Sequence, residues 1–241
     1  MLVHFHIPKN AGTTIHELLK HSFRQRYYPC YQFYYQNQAN ITEPLSEKVF
    51  LKLLACLEKD VDIIGGHHLR PPNWQFSRSR NLQYFTFIRH PIDRIISLYH
   101  YERKWSEIKP EVYGENHPAL QDFASYIRER VKENSAISNW QTYDLTGTFD
   151  GELARETLDN FLFVGLVEEW DLSLSLLQKK IKGLVEVKQQ KFNICERKIV
   201  NKKSLDSNLF EKLLEMNRED LKLFLYAKKR LEIEAKSLRR N

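Results

Sequence analysis

The chain has 241 residues, of which 42% are hydrophobic and 12% aromatic, enough to build a sizeable core and to exclude a disordered chain. This length fits a single α/β domain, a class that often extends past about 200 residues. With 37 basic and 31 acidic residues the net charge is +6. Such a small excess argues against a dedicated nucleic-acid binder and is consistent with a local site for an anionic ligand.

The cysteines and the N-terminal residues bear on the compartment. Cys30, Cys56 and Cys195 are odd in number, widely spaced and without a CxxC pair. This pattern argues against a disulfide scaffold or a structural zinc site and fits a reducing compartment. No run approaches the roughly 18 apolar residues of a membrane span, and residues 8–10 interrupt any apolar leader. We therefore expect a cytoplasmic protein without integral membrane association.

Short apolar runs alternate with amphipathic helical patterns along the chain. Strands are predicted at residues 2–7, 61–64, 84–88 and 161–164, and one long amphipathic helix is predicted from residue 207 to about 238. Near-continuous apolar strands separated by helices predict an α/β fold: a P-loop-like parallel sheet of about four or five strands, flanked by helices on both faces. Residues 1–241 are expected to form one domain. The weakly patterned residues 107–150 are interpreted as an insertion over the open end of the sheet.

The first motif, residues 6–14 (HIPKNAGTT), lies between the first predicted strand and a helix. Such a loop directs backbone N–H groups and the positive end of the helix dipole at one spot. Lys9 adds a full charge, and Gly12 lets the backbone come close to a ligand. Hydroxyl donors follow at Thr13 and Thr14. The motif therefore predicts a cradle for a tetrahedral anion, with an ordinary strand–helix turn and a solvated lysine as the alternative. It is not the Walker pattern, because the lysine precedes the glycine.

The second motif, residues 87–99 (FIRHPIDRIISLY), follows the third predicted strand. Arg89 lies at the strand end, and Ser97 lies two turns into the next helix, so that a guanidinium and a hydroxyl can converge on one phosphate. Open α/β sheets bind ligands at this end of their strands. The alternative is that Arg89 and Arg94 are surface charges paired with Asp93 or Glu102.

Two anion sites at the ends of neighbouring strands indicate a ligand with two separated anionic groups. Together the two motifs resemble the 5′-phosphosulfate loop and the 3′-phosphate motif of sulfotransferases that use 3′-phosphoadenosine-5′-phosphosulfate (PAPS). The form of residues 6–14 is similar to the carbohydrate branch, which includes the heparan and uronosyl 2-O-sulfotransferases and their bacterial relatives. The resemblance covers roughly residues 1–235 in order, and its further matches are Gly66-His67, Asn139–Thr142, Phe163–Trp170, Ser173, Leu177, Asp220-Leu221 and Tyr226.

The resemblance implies roles for individual residues. Arg89 and Ser97 would hold the 3′-phosphate, and Lys202, with Lys203, would close over the nucleotide. Lys9 would also stabilise charge on the departing phosphate oxygen during sulfuryl transfer. The group implied to hold the 5′-phosphosulfate consists of Lys9, the N–H groups of Asn10, Ala11, Gly12, Thr13 and Thr14, and the two threonine hydroxyls. PAPS would be the co-substrate and adenosine 3′,5′-bisphosphate (PAP) the product, with no metal required.

The acceptor implied by the resemblance is a hydroxyl, most simply on a carbohydrate, and it needs a general base. His67 is the candidate because an imidazole titrates close to neutral pH, and His68 is the fallback. A structural histidine at the strand end is the alternative role for His67. The His4–His6 pair resembles a metal pair, but a third ligand at suitable spacing is missing, so buried hydrogen bonding is the preferred interpretation.

Two other functions remain open at this point. A P-loop kinase using ATP and Mg²⁺ would need a carboxylate at a strand end, where this sequence has Arg89-His90-Pro91. A nucleotide-binding module that has lost catalysis is the non-enzymatic alternative, against which Lys9 and His67 both argue.

Three further features carry weaker indications. The aromatic residues 27–35, with Trp74, Trp105 and Trp140, are candidates for stacking on an acceptor ring or for ordinary packing. Arg70, Arg78 and Arg80 suit an acidic acceptor, or are solvated charges. The basic residues 228–240 are interleaved with acidic ones and are interpreted as a solvated helix end, so that no nucleic-acid partner is expected.

Overall fold

Five parallel strands form one sheet in the computed structural model, which describes residues 1–31, 46–57, 60–70, 73–133, 136–185 and 199–238. The strands are β1 (Leu2–Phe5), β2 (Tyr27–Pro29), β3 (Ile63–Gly66), β4 (Gln83–Ile88) and β5 (Phe163–Leu166). Their order across the sheet is β2-β3-β1-β4-β5, and every neighbouring pair is parallel. The predicted α/β fold with a parallel sheet is confirmed.

Helices connect the strands and follow the last one. They are α1 (Gly12–Phe23), α2 (Glu47–Ala55), α3 (Trp74–Ser79), α4 (Pro91–Ile108), α5 (Pro110–Tyr113), α6 (Phe123–Lys132), α7 (Trp140–Thr146), α8 (Gly151–Asp159), α9 (Trp170–Lys180), α10 (Ser207–Met216) and α11 (Arg218–Leu238). Short 3₁₀ turns occur at Arg24–Arg26, Pro118–Leu120 and Lys202–Ser204. None of the helices within the described ranges combines the length and the apolar character that crossing a bilayer needs.

The central strands are buried on both faces, as their apolar sequences predict. Val3 and Ile63 are fully buried, as is Phe163 in β5. A second buried cluster joins α4 and α6 to α10, with Tyr99 and Tyr126 near its centre. The helices in the described part of the chain therefore cover the faces of the central strands.

Two predicted elements differ from the structure. The sequence pattern missed β2, an edge strand in the aromatic segment, where Pro29 is tolerated because its missing N–H falls at the sheet edge. Residues 32–35 of that segment lie outside the described residues. The long C-terminal helix is two helices, α10 and α11, because the Asn217 side chain donates to the carbonyl oxygens of Ile137 and Leu213 at the break.

One tryptophan and one arginine of the weaker indications have identified packing partners. Trp74 is partly buried and packs on the rings of Tyr84 and Phe161, in line with the alternative of ordinary packing. Arg70 is buried and donates to the Asp144 carbonyl oxygen, which makes it part of the framework that holds α7.

The sheet order brings three strand ends together. From β1 the chain crosses to β2 and β3 on one side, and from β4 it continues to β5 on the other. The gap between β1 and β4 is therefore the topological switch point, where open α/β sheets bind ligands beyond the carboxyl ends of their strands. The segments after β3, β1 and β4 carry His67, Lys9 and Arg89 respectively.

Candidate functional site

The loop after β1 has the backbone form of an anion-binding nest. Lys9 and Ala11 are left-handed, with φ of 72° and 60°, and Asn10 between them is not. Alternating handedness directs successive N–H groups to the same side. Ala11 is the N-cap residue of α1 and has no side chain that can accept from the first turn, which also contains no acidic residue. Other helices in the described chain do have a side-chain acceptor at the N-cap: Ser46, Asn73, Asp122, Asp150 and Asp206.

A neighbouring side chain leaves no room for a Cβ at Gly12. A Cβ at this position would lie 1.6 Å from Nε2 of His6, because the imidazole ring packs directly on the Gly12 backbone. Besides the ligand approach predicted from the sequence, the structure gives a second reason for glycine here, the close approach of a histidine. The missing Cβ still leaves the first turn of α1 compact.

Asn10 holds the loop in place from beneath. Its Nδ2 donates to the Phe87 carbonyl oxygen at 2.8 Å and to Oε1 of Gln141 at 2.7 Å, and the residue is 1% exposed. Its own N–H donates to the carbonyl oxygen of Ile7. The expectation that the Asn10 N–H faces the ligand is therefore revised, since that group is already used inside the loop.

Gln141 links the loop after β1 to the loop after β4. Its Oε1 accepts from the backbone N–H of Arg89 at 2.9 Å, and its Nε2 donates to the Arg89 carbonyl oxygen at 2.8 Å. The buried Asp220 carboxylate accepts from the N–H groups of Gln141 and Thr142, at 3.0 and 2.7 Å. Asn139 in turn accepts from the first turn of α11. The Asn-x-Gln segment noted in the sequence is thus a brace between α7, α11 and the two anion motifs.

Arg89 lies directly against the Lys9 loop. Its Nη1 donates to the carbonyl oxygen of Lys9 at 3.0 Å, while its buried Nε has no hydrogen-bond partner among the described residues. Burial lowers the pKa of this guanidinium, and nearby Glu168 and Asp93 oppose that effect. The residue therefore has an unused donor at the switch point, as an anion site requires.

For Arg94 the alternative of a surface ion pair is wrong. Arg94 is fully buried, donates to the Ala136 carbonyl oxygen, and is attracted by the Asp220 carboxylate. Glu102 instead pairs with Arg130 and accepts from the Tyr126 hydroxyl.

The ammonium of Lys9 lies over the ring of Tyr101, with Nζ 3.9 Å from the ring centroid. Tyr101 is on α4, one turn after the half-buried Ser97, so the two residues share a helix face. This contact places Ser97 on the side of α4 that faces Lys9. The sequence analysis missed Tyr101. Its spacing of four residues from Ser97 could have indicated that both lie on the same helix face.

His67 follows β3 and faces the same loop. Its Nδ1 lies 2.9 Å from the carbonyl oxygen of His6, and its ring stacks on the His6 ring at 4.2 Å, with Tyr31 edge-on at 5.1 Å. Because a carbonyl oxygen only accepts, this bond places the proton on Nδ1 and leaves the Nε2 lone pair available. Burial lowers the pKa of His67, partly offset by its hydrogen bond and by Asp144. The ring is therefore neutral and basic at Nε2 near pH 7.

His68 has a different environment. It adopts φ of 56° and turns away to place Nδ1 3.1 Å from Oδ1 of Asp144, with only 5% of the residue exposed. The buried pair ties the loop after β3 to α7. This geometry favours His67 over His68 as the histidine that meets a ligand.

His4 and His6 stack in the first strand and the loop that follows it, 5.7 Å apart, and are nearly or fully buried. Burial lowers the pKa of His4 to about 3 and holds that of His6 well below its ordinary value. Their Nδ1 atoms have no hydrogen-bond partner within the described ranges, so the expected buried hydrogen bonding is not found at these two nitrogens there. In the described segments no three histidine, cysteine, aspartate or glutamate side chains are grouped to hold a metal ion.

Lys202 lies beside the first turn of α4, where Nζ is 3.4 Å from Oδ2 of Asp93. The segment before it is anchored by His100, whose Nε2 lies 3.0 Å from the Val200 carbonyl oxygen. A cavity of about 370 Å³ lies between Lys202 and α10 and is lined by Lys202, Lys203, Leu205, Ser207, Phe210 and Glu211. Lys202 thus contacts Asp93, four residues after Arg89 in the sequence.

Comparisons with known proteins identify the family and the fold of the chain. An uncharacterized protein of Archaeoglobus fulgidus is 28% identical over 256 residues, covering 93% of this chain and 94% of its own. The crystal structure of mouse sulfotransferase SULT7A1 complexed with PAP is similar in fold, with a TM-score of 0.57 at 13% identity, over 98% of this chain and 88% of that one. The profile of the sulfotransferase family matches residues 1–227. The chain that carries the loop after β1 and the arginine after β4 therefore belongs to the sulfotransferase family.

Proposed function

We propose that this protein transfers the sulfuryl group of PAPS to a hydroxyl of a carbohydrate acceptor, with His67 as the general base. The observation that carries the proposal is the meeting of three groups at the switch point: the Lys9 loop, the Arg89 guanidinium and the His67 imidazole. The fold it shares with the PAP-complexed mouse sulfotransferase supports the choice of nucleotide.

The residues present fit a ligand with two anionic ends. The N–H groups of Lys9 and Ala11 and those of the first turn of α1, from Gly12 to Thr14, supply donors for one end. The unused Nε of Arg89 and the Ser97 hydroxyl supply donors for the other, with Lys202 at the border. When bound, PAPS would supply the sulfuryl group, and its 5′-phosphate would be the leaving group.

Lys9 and His67 divide the chemistry between them. The Lys9 ammonium offsets the negative charge that develops on the departing phosphate oxygen, so that it stabilises the transition state more than the ground state. Nε2 of His67 takes the proton of the acceptor hydroxyl, which makes its oxygen nucleophilic. The bond from Nδ1 to the His6 carbonyl oxygen fixes the ring in the tautomer this step needs.

The carbohydrate acceptor is supported by the form of the residues 6–14 motif and by the elements around the site. The segment 107–150 contributes α7, whose Gln141 and Asp144 contact the loops after β4 and β3. We propose that this segment forms part of the acceptor pocket.

A thermal-shift series tests the nucleotide. PAP without metal is expected to raise the melting temperature, and saturation at about 100 times Kd stabilises by about 2.7 kcal/mol. Lys9→Ala should weaken this shift, whereas His67→Ala should retain it. A shift with ATP that requires Mg²⁺, together with none for PAP, would instead identify the kinase alternative.

Transfer of ³⁵S from labelled PAPS tests the reaction. A panel of unsulfated uronic-acid polysaccharides, simple phenols and steroid alcohols separates acceptor classes, and label in the polysaccharide alone is the expected result. His67→Ala should lose turnover while it still binds PAP. Full activity in that variant would overturn the assignment of the base, and label only in phenols would overturn the acceptor.

A further inference from the structure

We propose that Tyr101 is a positioning residue for Lys9, holding the ammonium in place before the donor binds. This inference rests on the proposed function, because it concerns the lysine that the proposed chemistry uses. Neither sequence motif includes Tyr101. It lies two residues after the end of the second motif, in the second half of α4.

Lys9 is held at both ends. The Arg89 guanidinium donates to the Lys9 carbonyl oxygen at 3.0 Å, which fixes the backbone of this left-handed residue. At the other end, Nζ lies 3.9 Å from the centroid of the Tyr101 ring, well inside the roughly 6 Å range of a cation–π contact. A lysine held at its backbone carbonyl and at its ammonium has less rotamer freedom left to lose during the reaction.

The ring can hold the charge without neutralising it. A carboxylate in the same place would form an ion pair and compete with the anionic oxygens of a donor. The face of a tyrosine ring attracts the ammonium through its quadrupole but leaves the full positive charge available to a ligand. Such a partner suits a lysine whose proposed task is to meet negative charge that develops elsewhere.

Tyr101 belongs to a row of side chains along one face of α4. Tyr101 lies one helical turn after Ser97 on the same face, and its ring centroid is 6.2 Å from that of Trp105, one turn further on. Lys109 Nζ lies 5.2 Å from the Trp105 ring centroid, which extends the row. Tyr101 itself is 41% exposed.

The test compares two substitutions of one residue. Tyr101→Leu removes the aromatic face and should lower kcat for sulfuryl transfer about two- to fivefold, the equivalent of one exposed cation–π contact. Tyr101→Phe retains the face and should keep kcat within about twofold of wild type. Tyr226→Leu removes a tyrosine ring of α11 whose centroid lies 5.8 Å from the Arg155 guanidinium carbon, outside this row, and as the matched control it should leave kcat unchanged.

A spectroscopic readout tests the contact apart from turnover. The ε-methylene NMR signal of Lys9, assigned by its loss in Lys9→Arg, should be displaced by the ring current in wild type and in Tyr101→Phe. It should return to the position of a solvated lysine in Tyr101→Leu.

Two results would overturn the proposal: equal loss of kcat in the Phe and Leu variants, or wild-type kcat in Tyr101→Leu. Both are distinct from failure of the proposed function. A wild type that binds no PAP overturns the function and this role together, whereas a PAP-binding, active wild type with an inert Tyr101→Leu overturns only the role of Tyr101.

Discussion

The guanidinium of Arg89 donates a hydrogen bond to the carbonyl oxygen of Lys9 at 3.0 Å, across 80 residues of sequence. This bond joins the two motifs that the sequence presents separately. Arg89 uses Nη1 to hold the loop after β1. Its buried Nε has no partner among the described residues and is the donor proposed for the phosphate. The two proposed anion sites are therefore parts of one structure.

Replacing Arg89 by lysine should weaken PAP binding although the charge is kept. A lysine lacks the planar fork that serves the Lys9 carbonyl oxygen and a phosphate at once. Loss of one charge-assisted hydrogen bond, about 1.5–3 kcal/mol, corresponds to roughly a 10- to 100-fold higher Kd by titration calorimetry. Arg78→Lys, at the exposed arginine bonded to Asn160, is the control and should bind like wild type. An unchanged Kd in Arg89→Lys would refute the shared role.

Removing the Asp220 carboxylate should destabilise the whole protein. The carboxylate is fully buried, accepts from the N–H groups of Gln141 and Thr142, and offsets the buried charge of Arg94. Asp220→Ala leaves that charge uncompensated, which costs about 3–5 kcal/mol for a buried pair.

Urea denaturation measures this loss. The exposed carboxylate of Asp171, at the start of α9, offers the comparison, and Asp171→Ala should change the free energy of unfolding by no more than about 0.5 kcal/mol. Equal midpoints for Asp220→Ala and wild type would show that the brace between α7 and α11 contributes nothing.

A methyl group at position 12 should destabilise the loop after β1. In Gly12→Ala the new Cβ would lie 1.6 Å from Nε2 of His6, so the imidazole must move from its stack with His67. Overpacking of this kind costs about 1–3 kcal/mol, which lowers the melting temperature by a few degrees per kcal/mol in a chain of this size.

A double-mutant cycle separates this clash from a general effect. In a His6→Ala background the space for the methyl group exists, and the added cost of Gly12→Ala should largely vanish. Additive losses would mean that the His6 ring is not the obstacle.

Buried histidines predict loss of stability in mild acid. The pKa values of His4, His6 and His67 lie below 6.5 in the folded chain, chiefly through burial, whereas the unfolded chain titrates near 6.5. The unfolded state therefore binds more protons below pH 6.5, and the free energy of unfolding falls as the pH drops from 6.5 toward 5.

Each such group contributes at most about 1.4 kcal/mol per pH unit. Urea denaturation between pH 7.5 and 5 measures the slope, and His4→Phe should reduce it by about one group, since a ring of similar shape can stack on Phe85. A free energy of unfolding that stays level or rises over this range would contradict the burial of these histidines.

Local patterns were sufficient to predict most strands and the positions of both motifs. Residues 84–88 are apolar and end in Arg89-His90-Pro91, so a buried strand followed by a helix is dictated by neighbours in sequence. β2 was missed because it has only three residues, includes a proline and pairs at one edge. The break at Asn217 was missed because its cause lies in the Ile137 carbonyl oxygen, far along the chain.

The sequence by itself determined the type of chemistry, because residue identity, spacing and order carry it: a lysine in a strand–helix turn, an arginine with a serine eight residues on, and a histidine after two glycines. Only the tertiary structure decided which of these groups meet. The order β3-β1-β4 places three loops side by side, and contacts across the fold then orient His67, assign His68 to Asp144 and set Lys9 on Tyr101. The physical reason is that hydrogen bonds and ring contacts act over a few ångströms of space, whatever the separation in sequence.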